Sequence, residues 1–200
     1  MSVERAPVVN VGARRLSIDV VWVVSAELVA RLSQLGIVAL LGHALGPVGL
    51  GLIGMAWALY AIALPLVQDG PETVGVRALA QAPDDAAMAG RVVALKLAIA
   101  LGVALSVAGG AILVLGATTP AGRQIGFQAL VLLPIALAYG WALRAIERFD
   151  LVALTRAGQS VLTLALLAVV LPLWPAPLAA PLVDLSAAAV FALATALLAR

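Results

Sequence analysis

The sequence predicts an all-α membrane protein, a bundle of six transmembrane helices, and three observations predict it. Of the 200 residues, 64% are hydrophobic and only 11% are charged, with a mean hydropathy of +1.14. Soluble domains hold about 45–50% apolar and about 25% charged residues, so a soluble fold of this length could not hide so much apolar surface. Six stretches reach the length of about 20 mainly apolar residues that a membrane crossing needs. The cationic residues, finally, fall almost entirely on one side of the membrane when those stretches alternate in direction.

The predicted spans run over 18–45, 49–67, 92–115, 125–146, 154–173 and 178–198. The first ends at Gly46-Pro47, a helix stop followed by a turn signal. Pro65 lies near the end of the second. Pro134 lies inside the fourth and predicts a kink there. Trp174-Pro175-Ala176-Pro177 is a tight connection between the last two. The connection 68–91 differs from the others because Asp69, Glu72, Arg77, Asp84, Asp85 and Arg91 concentrate much of the charge in it. Within it, 72–82 predicts a short amphipathic helix at the membrane surface, ended by Pro83. Arg14 and Arg15 precede the first apolar run as they would in a secretory signal. That run is far longer than a signal core of about 7–15 residues, so it reads as a retained first helix.

With six spans, the N-terminus, the second and fourth connections and the C-terminus share one side. Arg5, Arg14, Arg15, Arg77, Arg91, Lys96, Arg144, Arg148, Arg156 and Arg200 are on it, and Arg123 alone is on the other, with His43 and Asp184. The positive-inside rule places both termini in the cytoplasm. Asp19 reads as an interfacial residue beside Arg14 and Arg15. Arg144, Glu147, Arg148 and Asp150 read as an anchor at the lipid headgroups.

Composition also bounds the chemistry. There is no cysteine and one histidine, too few ligands for the usual zinc sites. No basic stripe is interleaved with stacking aromatics, so nucleic acid is not an expected partner. Nucleophile elbows, Gly-rich phosphate loops and paired acidic metal motifs are missing. The expectation is a protein that is not an enzyme and uses no cofactor.

Polar residues inside a span are costly and therefore the first candidates for function. Glu27, Arg31 and Gln34 are spaced four and three apart, which puts them on one helical face. Two readings stand. In the structural one, Glu27 pairs with Arg31 and the pair neutralises itself. In the functional one, Arg31 lines a cavity and draws an anionic substrate, with Glu27 and Gln34 tuning it, because a guanidinium donates two parallel hydrogen bonds to a phosphate.

A set of local sequences adds to this reading. Arg31 in the first helix is followed by Leu45-Gly46-Pro47-Val48-Gly49-Leu50-Gly51, then by Gly75-Val76-Arg77-Ala78-Leu79-Ala80, and later by Trp141-Ala142-Leu143-Arg144-Ala145-Ile146-Glu147-Arg148. Over roughly residues 16–170 the chain resembles the oligosaccharide flippases, or O-antigen exporters, of the superfamily that also holds multidrug exporters and the lipid II flippase. The resemblance implies a fold of two six-helix lobes around a central cavity in the bacterial inner membrane. It implies transport of an undecaprenyl-pyrophosphate-linked oligosaccharide for cell-surface polysaccharide, including lipopolysaccharide, with cationic cavity residues receiving the pyrophosphate. Family members have about twelve helices or more. The six spans here are expected to form one N-terminal lobe, with a second lobe as partner. A cation-coupled small-molecule exporter of the same superfamily and a non-transporting membrane partner subunit are the alternatives.

Overall fold

A computed structural model describes residues 13–81 and 86–199, with side chains described from residues 20 and 87 onward in these two segments. Arg5, Pro83, Asp84, Asp85, Arg200 and the side chains of Arg14, Arg15 and Asp19 therefore lie outside the described residues. The described chain is helical, with no strand: α1 (Ala13–Gln81), α2 (Ala86–Leu115), α3 (Pro120–Leu130), α4 (Leu132–Leu137), α5 (Gly140–Ala145), α6 (Phe149–Leu173) and α7 (Ala179–Leu198). Five helical stretches are long and apolar enough to cross a membrane: Val20–Gln81, Ala87–Leu115, Pro120–Ala145, Phe149–Leu173 and Ala179–Leu198. Their outer surface is apolar as well. Leu113 and Val114 are 87% and 82% exposed, and large hydrophobic residues recur along every one of the five. Such a surface is stable against acyl chains rather than water.

Helix α1 is broken at Gly46, whose backbone angles (φ 67°, ψ −176°) are not helical. That region of backbone space is open almost only to glycine. Unbroken, α1 would place Val23 and Glu72 about 70 Å apart at about 1.5 Å per residue. Both instead line one cavity, as do Gln34 and Trp57. Ile37 and Leu41 before Gly46 also share a buried cluster with Ile53 after it. Two arms, 13–45 and 47–81, therefore fold back on each other at Gly46. The second arm stays helical through Pro65 and Pro71 to Gln81. The amphipathic helix expected over 72–82 is part of this longer helix, and Glu72 is buried on it (8% exposed).

The stretch Pro120–Ala145 is a helix in three pieces. Thr119 caps its start, its Oγ1 accepting from the Gly122 N–H (3.1 Å), and Pro120 occupies the first turn, where no N–H is needed. The kink expected from Pro134 is present: α3 ends at Leu130, four residues earlier, whose carbonyl the proline ring crowds and cannot satisfy. A second break follows at Ala138, which is extended (φ −70°, ψ 135°).

Glu147 closes α5 in the left-handed region (φ 57°). The Arg148 N–H reaches the Leu143 carbonyl (2.9 Å) and the Glu147 N–H reaches the Arg144 carbonyl (3.2 Å), the pair of bonds that usually ends a helix on glycine. Glu147→Gly is expected to stabilise the protein by about 1 kcal/mol, since the left-handed penalty disappears. Thermal unfolding in detergent checks it, and a lower midpoint would contradict this backbone assignment.

Candidate functional site: a polar cavity between the arms of α1, α6 and α7

A cavity of about 870 Å³ opens among the two arms of α1, α3–α5, α6 and α7. Its wall is polar at both ends. Arg144, Arg156, Asp69 and Glu72 line one end, which lies toward Gln81 and the start of α6. Trp57, Gln128 and Asp184 line the other, nearer Gly46 and the start of α7. Gln34, Gln159, Ser160 and Thr163 add amides and hydroxyls to the wall.

The first end is built around an ion cluster. Lys96 of α2, 0% exposed, donates from Nζ to Glu72 Oε1 at 2.7 Å and to the Ala138 carbonyl at 3.3 Å. Arg144 of α5 pairs with the other Glu72 oxygen. The break at Ala138 frees a carbonyl and an N–H in an apolar bundle, where an unmet backbone group costs on the order of several kcal/mol. Lys96 meets the carbonyl, and Thr195 Oγ1 of α7 accepts from the Tyr139 N–H at 3.0 Å. One turn along, Gly75, Val92 and Trp141 meet. A Cβ on Gly75 would come within 2.9 Å of Val92 Cγ1 and 3.0 Å of the Trp141 ring. The missing side chain thus lets three helices approach closely enough for Glu72, Lys96 and Arg144 to join.

At the second end, Asp184 Oδ2 accepts from Trp57 Nε1 (3.3 Å) and from Gln128 Nε2 (3.2 Å). These donors come from the second arm of α1 and from α3, so one carboxylate ties three elements together.

The residues singled out on the first helix are placed as follows. Arg31 Nε donates to Glu27 Oε1 at 2.8 Å, and Arg156 of α6 reaches the other Glu27 oxygen at 3.3 Å. Arg31 is 77% exposed, and neither it nor Glu27 is among the described residues that line the cavity, whereas Gln34 is. Lys96 and Arg144 lie within apolar helices, as the spans 92–115 and 125–146 have them, and each is held by a carboxylate far away in sequence. Asp184, counted with the outer side, lies inside α7, within the predicted span 178–198. The sequence signal for these groups is charge within an apolar run, and Lys96 and Asp184 both carry it.

Comparison of the chain with protein families, with curated proteins and with solved structures finds no match.

Proposed function

We propose that the chain is the N-terminal lobe of a bacterial inner-membrane flippase that moves an undecaprenyl-pyrophosphate-linked oligosaccharide across the bilayer. The observation that carries this reading is the cavity: amides, hydroxyls and two arginines face inward from a bundle whose outer surface is apolar. Amides and hydroxyls replace the hydration of sugar hydroxyls, and guanidinium groups match phosphate oxygens. In this reading each arm of α1 crosses the membrane, since each is about 50 Å long against about 30 Å of hydrocarbon. That gives six crossings with both termini in the cytoplasm. A second six-helix lobe supplies the facing wall, and the two rock about the cavity. The discontinuous helix at Ala138 fits such a site, because irregular backbone at membrane depth is tolerated where it lines a cavity or is buried in protein.

The test is binding of an undecaprenyl-pyrophosphate disaccharide to the chain in lipid nanodiscs. Saturable binding is expected, weakened about tenfold by Arg156→Gln, which corresponds to about 1.4 kcal/mol. Equal binding by the variant, or none by the wild type, would refute the assignment. Asp184 and Glu72 on the cavity wall favour one other reading, a cation-coupled small-molecule exporter. Dye extrusion that follows an ion gradient without any lipid-linked sugar would select it.

A further inference from the structure

Gln124 is 0% exposed, and neither its amide nitrogen nor its amide oxygen has a hydrogen-bond partner among the described residues. Gln128, 2% exposed, spends its nitrogen on Asp184 and leaves its oxygen unpartnered. The two lie one turn apart on α3, hence on the same face, with Cβ atoms about 5–6 Å apart. Three polar atoms on one helix face thus lack partners. In a membrane bundle each would cost on the order of 1–3 kcal/mol unless water met it, and buried water characteristically settles on such groups. Gln124 stands near the start of α3, at the Pro120 end of the bundle. Gln128 stands on the cavity wall, bonded to Asp184.

We infer that Gln124 and Gln128 hold a file of water that carries protons between the Pro120 end of the bundle and the Asp184 carboxylate. Asp184 is the proton site, and the ligand is a proton delivered as hydronium and released to water. The chemistry suits the residues. An amide offers both a donor and an acceptor, so it orients water in either direction without itself changing charge. When Asp184 takes a proton, its O–H gains the ability to donate, and Gln128, by turning its amide over, presents its oxygen as the acceptor in place of its nitrogen. The ionised form is held by the Trp57 and Gln128 donors. Both charge states therefore have partners at this place, which is what a reversible proton site requires.

Among the described residues, the other titratable group close to Asp184 is Tyr60, on the second arm of α1 and within its electrostatic reach. Asp69, Glu72, Arg144 and Arg156 line the same cavity from its far end. The α3 residue Arg123 is exposed, off the file. This inference rests on the membrane-spanning part of the proposed function and not on the identity of the transported molecule.

The experiment is a pH jump on the chain in liposomes, followed by infrared difference spectroscopy of the protonated-carboxyl band. Asp184→Asn is expected to remove one component of that band. Gln124→Leu is expected to keep the component and its equilibrium midpoint but to slow its appearance about tenfold or more. That variant is chosen because replacing an unpartnered buried amide with an apolar side chain of similar size is neutral or stabilising, and its unfolding midpoint is measured alongside. An Asp184 component that follows the jump equally fast with Leu at 124, or a band unchanged by Asp184→Asn, would overturn the inference. Cysteine accessibility on the same liposomes reports separately whether the helices cross the bilayer. Crossing helices with an unchanged rate defeat the proton file alone, and helices that do not cross defeat the proposed function.

Discussion

Lys96→Met is expected to destabilise the protein by about 3–5 kcal/mol, the range found when one partner of a buried ion pair is removed. The side chains are of similar length, so lost volume contributes little. What is lost is a charge that reaches Glu72 Oε1 and the Ala138 carbonyl together. Glu72 keeps Arg144, which is 45% exposed and so screened more than Lys96 is. The Ala138 carbonyl loses its side-chain donor. The consequence should be local before it is global: the break between α4 and α5 loosens, and with it the wall of the cavity near Arg144. Unfolding in detergent measures the first effect, and amide hydrogen exchange around 138–145 measures the second. A companion variant separates charge from packing. Glu72→Gln with Lys96→Met removes both buried charges and should recover part of the loss, as paired removal of buried ions commonly does. Equal stability of wild type and Lys96→Met would show that the cluster is not formed.

Gly46→Ala is the second large effect. With φ at 67° and ψ near 180°, Gly46 occupies a region that an L side chain enters only with strain of order 1–3 kcal/mol. The space around it is open, and a Cβ added there would meet nothing within 4 Å, so the whole cost is conformational. Because this residue sets the angle between the two arms, the penalty falls on the contact of Ile37 and Leu41 with Ile53 and on the cavity between the arms. A lower unfolding midpoint together with weaker ligand binding is the expected pair of results. A D-alanine at 46, introduced by semisynthesis, accepts the same backbone and should restore both.

These two residues differ in how far the sequence announces them. Gly46-Pro47 between two apolar runs is a local signal, and local signals are readable: the break at Gly46, the interruption before Pro134 and the Trp174–Pro177 connection all follow from backbone chemistry within a few residues. The ion cluster is not local. Glu72 meets Lys96 across 24 positions and Arg144 across 72, and no periodicity reports such a pairing. Gly70 and Pro71 beside Asp69 and Glu72 lower the hydropathy there, so the segment reads as a surface connection. In the fold it continues the second arm of α1. Asp184 falls inside the predicted span 178–198 and inside α7, but its partners are not legible, because Trp57 and Gln128 lie 127 and 56 positions away. The pairing of Glu27 with Arg31, four apart on one helix, is the opposite case, since helix geometry alone brings them together.

α1 folds back at Gly46 and its two arms line the polar cavity; under the proposed function, as its central claim, the arms cross the membrane in opposite directions. Because the chain has no cysteine, single cysteines can be placed at Val48, which is 78% exposed beside the turn, and at Gln81, at the end of the second arm. Labelling intact cells with a membrane-impermeant maleimide tests the claim most directly. Val48→Cys is expected to react from outside, and Gln81→Cys only after the membrane is opened. Reaction of both from the same side would contradict the fold-back.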